Sequence, residues 1–333
     1  MNLALIGFGY WGKNLARNIQ NSKSCSFFAL AEGDEKRRDT FLNQYPSVKV
    51  FETAEELNQQ EEIDAVVIAT PVDTHYPLAK AALNVGKHVL VEKPMTSNYE
   101  QAKELVELAK EKGLLLMVDH TFLYTGAVKL IKDKIDSGVV GNIQYIDSTR
   151  INLGLFQHDV NVLWDLAPHD ISMCSYWVNQ KPKSVSAIGA IHTQSDIENI
   201  AYLTLKYEND LIAHFNCSWV SPVKIRQMLV GGDQKMIVFN DMEPSEKVKI
   251  YDTGYEAKTE EEINKLLVDY RTGDIQIPQI DRTEALALMI DDFVSSIESG
   301  ADPISSTEIG LEVVKVLDAA QRSIKQNGKE ILI

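Results

Sequence analysis

LALIGFGYWGK, Leu3 to Lys13, decides the fold of this chain. Leu3 to Ile6 form an apolar run that reads as a buried strand. Gly7, Gly9 and Gly12 follow in G-x-G-x-x-G order, and a helical pattern runs from about Lys13 to Asn21. A glycine-rich turn between a strand and a helix is the dinucleotide-binding pattern. The first glycine permits the tight turn, the second lets backbone approach a pyrophosphate, and the third lets helix and strand pack closely. The helix N-terminus adds free N–H groups and a favourable dipole. Tyr10 and Trp11 stand between the second and third glycines. Phosphate contacts there run through backbone N–H groups, so these two side chains are left to wall the nicotinamide end of a cofactor or to pack elsewhere. Glu32 lies about twenty residues past Gly12, at the end of the next apolar run. A carboxylate there accepts bonds from both ribose hydroxyls and repels a 2′-phosphate, which favours NAD over NADP. Lys36, Arg37 and Arg38 follow closely and keep NADP open.

Outward from this motif, strand and helix patterns alternate. SFFALAE (26–32), a run at 48–51, DAVVIAT (64–70), HVLVEKP (88–94) and LLLMVDH (114–120) read as strands. Helices are expected between them. Thr53 to Glu56 has capping-box spacing, and Asp73 or Thr74 can cap the helix that ends near Gly86. This alternation predicts a parallel sheet with right-handed crossovers. After His120 the pattern changes. Helices at about 125–137 and 160–178 flank a strand at 142–152. Strands at 184–192, 199–207, 211–220, 224–230 and 236–240 then follow one another. The fold class is therefore α/β with a parallel sheet, followed by α+β with a large, mostly antiparallel open sheet. Helices at about 283–299 and 307–326 close the chain.

The chain has 333 residues, 44% hydrophobic and 24% charged, which suits about two globular domains. A net charge of −15 disfavours nucleic acid and anionic membrane as partners. No apolar run approaches a membrane span, and no signal-peptide pattern is seen at the start. Cys25, Cys174 and Cys217 follow no metal spacing and read as buried free thiols of a cytoplasmic protein. His120, His158 and His169 with Asp165 have no tight ligand spacing either, so no metal is expected.

Two further motifs carry chemistry. EKP, Glu92 to Pro94, ends a parallel strand, where open α/β sheets bind ligands, so Lys93 is placed to face the active site. WDLAPHDI, Trp164 to Ile171, sets Asp165 four residues before His169. A carboxylate beside an imidazole raises its basicity and orients it, which is acid–base equipment. Pro168 is awkward inside a helix, so the helix is expected to begin near it, with Asp165 just before it. Arg150, before Asn152, could meet a nucleotide-sugar diphosphate, and His158 could contact substrate. Trp219 reads as sheet packing.

GFGYWG, then ATP at Ala69 to Pro71 with His75, then EKP, then the Asp-x-x-x-His of DLAPHD occur in order. On these residues the chain resembles the Gfo/Idh/MocA family of glucose–fructose oxidoreductase and inositol dehydrogenase. GYWG, DLAPHDI and SWVSPVKIR (218–226) are similar to a branch of sugar and nucleotide-sugar dehydrogenases. The resemblance implies a Rossmann domain over 1–120 and an α+β domain over 121–333 that binds substrate and builds a homodimer or homotetramer through its sheet. The helix at 307–326 would return towards the first domain.

The resemblance also implies roles. Lys93 orients the reacting hydroxyl, His169 is the acid/base and Asp165 supports it. Thr70, Pro71 and His75 line the cofactor's ribose and nicotinamide side, and Glu92 sits near the nicotinamide ribose. The implied reaction is reversible hydride transfer between a sugar, polyol or nucleotide-sugar carbinol and NAD(P). One departure stands out. HTFLY, His120 to Tyr124, replaces an Asn-x-Arg-like stretch, so no particular sugar carries over, although His120 and Asn152 remain substrate candidates. Two other functions share these residues: a redox-neutral sugar enzyme that retains NAD, and a non-catalytic NAD-binding regulator.

Overall fold

The computed structural model describes residues 1–154, 160–194, 196–256, 269–271 and 273–333. They divide into two units, 1–125 with 283–315, and 126–282 with 316–333. The sequence division at 120 differs in two stretches: residues 121–125 and 283–315, read as part of the second domain, group with the first unit.

In the first unit, β1 (Asn2–Ile6), β2 (Ser26–Ala31), β3 (Lys49–Phe51), β4 (Ala65–Ile68), β5 (His88–Glu92) and β6 (Leu116–Asp119) form a six-stranded sheet in the order β3-β2-β1-β4-β5-β6. All its pairs are parallel. The central strands are buried along their length, as near-continuous Val, Ile and Leu runs require when helices cover both faces. Helices α1 (Tyr10–Asn21), α2 (Glu35–Gln44), α3 (Ala54–Asn58), α4 (Val72–Asn84) and α5 (Tyr99–Lys112) alternate with them. The Thr53–Glu56 capping box forms with both of its reciprocal bonds. Pro71, not Asp73 or Thr74, takes the N-cap of α4, because its extended ψ of 148° ends the loop two residues earlier. The first unit also holds α8 (Ala285–Ser299) and the start of α9 (Thr307–Lys325). Arg17 pairs with Glu284 just before α8, and Ser305 Oγ donates to the Val118 carbonyl.

In the second unit, β7 (Ile143–Leu153), β8 (Ser184–Ala190), β9 (Ile200–Lys206), β10 (Ile212–Ser218), β11 (Val220–Gly232), β12 (Met236–Asn240), β13 (Val248–Tyr251), β16 (Ile275–Gln276) and β17 (Ile331–Leu332) build a nine-stranded sheet. Its order is β16-β13-β12-β11-β7-β10-β9-β8-β17. Only β10 against β7 runs parallel. A separate ribbon pairs β14 (Gly254–Glu256) with β15 (Asp269–Arg271). One sheet face is buried, with Ile146, Ala187, Leu203 and Phe215 inward. Helices α6 (Gly126–Asp136) and α7 (Val162–Val178) and the end of α9 also belong to this unit. The strands expected at 211–220 and 224–230 divide differently: β11 runs unbroken from Val220, with a register shift between Val220 and Ile225.

No described helix is long and apolar enough to cross a membrane. Cys174 and Cys217 are buried free thiols as expected, while Cys25 is only partly buried.

Candidate functional site

The glycine loop has the geometry that a dinucleotide needs. Gly7 sits at φ +95°, where a Cβ would lie 2.6 Å from the Ala69 carbonyl oxygen. A Cβ on Gly12 would run into the Gly7 carbonyl, so β1 and α1 meet here at backbone distance. Gly9 has open space around its Cα, which leaves the backbone accessible. It is also the N-cap of α1, without a side-chain cap. The helix therefore starts at Tyr10, three residues earlier than its periodicity suggests. The first N–H groups of α1 have no intrahelical acceptor, and this is the donor set that a pyrophosphate takes. Tyr10 (82% exposed) and Trp11 (44%) form the first turn, edge to face, with ring centroids 5.6 Å apart.

Glu32 follows β2 and is buried. Its Oε2 accepts the Phe8 N–H at 2.7 Å and its Oε1 the Asp34 N–H at 3.0 Å. Its carboxylate is thus anchored to the glycine loop itself. Each oxygen keeps a lone pair for a ribose hydroxyl. Arg37 Nη1 lies 3.8 Å away, and Arg38 is turned to the Glu32 and Gly33 carbonyls. Glycines and carboxylate together fit a nicotinamide dinucleotide.

At the ends of β4 and β5 the expected residues divide. Thr70 stands against Gly7 and accepts the Thr74 hydroxyl at 2.6 Å, and Pro71 is exposed. His75 is buried. Its Nδ1 lies 2.9 Å from the Pro94 carbonyl oxygen and its Nε2 2.9 Å from that of Thr70. The ring bridges the two strand-end loops. Burial pushes its pKa down against the pull of both carbonyls. Lys93 is half-buried, and the Lys93–Pro94 bond is cis. Glu92, expected near the nicotinamide ribose, is only 8% exposed and faces Asp119 on β6. His120 is buried as well, and among the described residues neither ring nitrogen has a hydrogen-bond partner.

In the second unit, α7 overrides its proline. Asn161 caps the helix, its Oδ1 accepting from the Leu163 and Trp164 N–H groups. Pro168 lies inside the helix, at the loss of the bond to the Trp164 carbonyl. Burial along nearly the whole of α7 outweighs that loss. Asp165 therefore belongs to the first turn, not the preceding loop. It stands one turn before His169, and both are half-buried while residues 166–168 between them are buried. Trp219, read as sheet packing, is fully buried and also donates its Nε1–H to Asp165 Oδ2 at 3.0 Å.

Arg150 is not available to a diphosphate. It is 3% exposed, and its Nε and Nη2 donate to Asp170 at 2.9 and 2.5 Å, with Ser148 Oγ adding a bond at 2.8 Å. Asn152 is half-buried on β7 beside Gly154 and Trp219. His158 lies outside the described residues.

Two residues of weight, Asp119 and Asp170, and one bond, that of Trp219 to Asp165, escaped the sequence reading. Asp119 occupies the same strand-end position as Glu92, a signal available in the two apolar runs. Asp170 follows His169 directly. Trp219 is 54 residues from Asp165, and no local pattern links them.

Residues 1–120 match an oxidoreductase family described by its NAD-binding Rossmann fold, and residues 128–238 match the Gfo/Idh/MocA C-terminal domain. The chain belongs to the Gfo/Idh/MocA oxidoreductase family. It is 35% identical over 182 residues to the uncharacterised oxidoreductase YdgJ of Escherichia coli; that match spans 51% of each chain, about half of the relative's length. It is 23% identical to inositol 2-dehydrogenase of Rhizobium meliloti over 98% of this chain and 97% of that protein. UDP-N-acetylglucosamine 3-dehydrogenase of Acidithiobacillus ferrooxidans shares the fold, with a TM-score of 0.83 at 21% identity over 98% of both chains. In this Gfo/Idh/MocA chain the N-terminal match ends at His120, where β6 gives way to a 3-10 turn, Thr121–Tyr124.

Proposed function

We propose that the chain is an NAD(P)-dependent dehydrogenase acting on the CH–OH group of a sugar, polyol or nucleotide sugar. The observation that carries this reading is on α7: Asp165 and His169 one turn apart, with Trp219 Nε1 holding the carboxylate. A bound nicotinamide supplies the hydride acceptor or donor. The chain's own residues handle the proton. His169 takes it from the substrate hydroxyl, Asp165 steadies the imidazolium that results, and Lys93 donates a hydrogen bond to the oxygen as charge develops there. Gly7, Gly9, Tyr10, Trp11, Gly12 and Thr70 hold the cofactor. NAD is preferred over NADP, because the anchored Glu32 carboxylate repels a 2′-phosphate. The relatives named for inositol and UDP-N-acetylglucosamine support the substrate class.

Self-association through the open sheet belongs to the same proposal. Tyr145, Ile188, Tyr202 and Ile212 are exposed, and the strand register puts all four on one face. Large apolar side chains exposed on one sheet face suit a second copy of the chain. Three free thiols suit the cytoplasm.

A turnover screen with NAD and NADP against polyols, free sugars and nucleotide sugars tests the reading. Reduced nicotinamide should accumulate with NAD. Product formed with no net absorbance change would instead indicate a redox-neutral enzyme. His169→Ala should lose about 10²–10⁴-fold in kcat while NAD binding persists. Near-normal turnover by that variant would remove His169 from the chemistry.

A further inference from the structure

Arg226 on β11 and Arg150 on β7 are register partners, so both guanidinium side chains leave the nine-stranded sheet on the same face. That face meets α7, because Asp170 of this helix holds Arg150. Like charges directly opposite each other are destabilising unless each is compensated. Arg226 is compensated poorly. Its Nη1 lies 3.6 Å from Asp241 Oδ2, longer than a hydrogen bond. Its Nε is buried and has no hydrogen-bond partner among the described residues. Asp241 has a closer cation: Lys247 Nζ donates to its Oδ1 at 2.8 Å and to its backbone carbonyl at 2.7 Å. Asp170 is likewise taken by Arg150 at 2.5 Å. Burial, then Arg150, push Arg226 below the ordinary guanidinium value. Yet 32% of the side chain is open, so an acceptor from outside can reach it.

The register also places Arg226 relative to the proposed chemistry. Asn152, two residues past Arg150 on β7, is the diagonal neighbour of Arg226, at about 7–8 Å and within reach of a long side chain. Gly154 lies against both Asn152 and Trp219, and Trp219 holds Asp165. On β10, Cys217 is the partner of Arg150, and Trp219 lies two residues further on. Arg226 therefore stands about 10 Å across and about 7 Å along the sheet from Trp219. It flanks the Asp165 cluster without belonging to it. The ladder between β7 and β11 shifts register just before it, between Val220 and Ile225, and such shifts re-aim side chains beside binding sites.

A guanidinium offers its N–H donors as a planar fork that matches the paired oxygens of a carboxylate or phosphate. A neutral hydroxyl meets one donor and leaves the charge uncompensated. We propose that Arg226 is a specificity-determining residue that binds an anionic group of the substrate, a carboxylate or a phosphate, so that the substrate is an acidic or phosphate-bearing sugar and not a neutral polyol. The role in specificity rests on the dehydrogenase reading; the binding of an anion at Arg226 does not.

The test reads binding, with the full-length protein and saturating NAD, so that the glycine loop is occupied. Glucuronate adds a carboxylate to the ring of glucose, and UDP-glucose adds phosphates. In isothermal titration calorimetry at least one of the two anionic probes should bind about 10-fold or more tighter than glucose. Preference for glucuronate identifies a carboxylate as the recognised group, and preference for UDP-glucose a phosphate. Arg226→Gln should abolish the preference while NAD still binds. Arg226→Lys should restore part of it, because the charge returns without the fork. Glucose bound as tightly as both anionic probes overturns the proposal, and that comparison needs no variant. So does a preference that survives Arg226→Gln. Anion binding at Arg226 with no reduced nicotinamide formed from any sugar would break the dehydrogenase reading alone. Turnover of a neutral polyol, unchanged in Arg226→Gln, would break this proposal alone.

Discussion

Each unit buries an aspartate near its proposed chemistry, and the two are neutralised differently. Asp170 faces a guanidinium and a hydroxyl, with Nε, Nη2 and Ser148 Oγ filling its lone pairs. Asp119 faces a second carboxyl, where only a proton can make the contact favourable. The first arrangement fixes a charge inside the protein. In the second, burial raises both carboxyls above the usual carboxylate range. The same residue type is paired with a cation on β7's side of α7 and with another acid at the end of β6.

Breaking the ion pair should have the largest effect. Arg150→Ala leaves Asp170 buried and uncompensated and should cost about 3–5 kcal/mol of stability, measured by urea unfolding. A loss under about 1 kcal/mol would mean that Asp170 reaches water. A middle-sized effect is expected beside the carboxyl pair. His120 titrates near 3 when folded, below the ordinary ~6.5, so the unfolded chain binds a proton first as pH falls. The folded state therefore loses stability between ~6.5 and ~3. His120→Leu removes that loss and should gain about 2 kcal/mol on the wild type between about pH 7 and about pH 5. Parallel stability curves would show that His120 is solvated. Glu92 has the opposite sign: its raised pKa gives stability that is present in acid and declines as pH rises above ~4.3. The smallest effect is expected for Asp119→Asn, under about 1 kcal/mol at neutral pH, because the new amide can donate to the facing Glu92 carboxyl. A cost matching that of Arg150→Ala would mean that the two aspartates are neutralised alike.

What the sequence made legible was local. The glycine loop, the Glu32 carboxylate, EKP and Asp-x-x-x-His are all patterns within a few residues of an element boundary, and boundaries are where turn and cap chemistry constrain residue type. The parallel sheet and the long antiparallel sheet followed from hydrophobic periodicity. What stayed hidden depends on register between strands distant in sequence. A lone basic residue on a strand, Arg150, reads equally as a ligand for an anion, and only the placement of Asp170 on α7 decides against it. Pro168 misled for the opposite reason. Its local cost is real, but burial along most of α7 exceeds it. Glu92 and His75 sit in motifs that point towards a cofactor, while their side chains turn inward to Asp119 and to two carbonyls.

The nine-stranded sheet ends on each side in a strand of only two residues, β16 and β17. A newcomer chain adding itself to either border would find a template a couple of backbone bonds long, too little to hold it. Past β17 the Ala187 N–H of β8 is already taken by Ser323 Oγ, so shortness and a side-chain bond together work against growth of the sheet at that border.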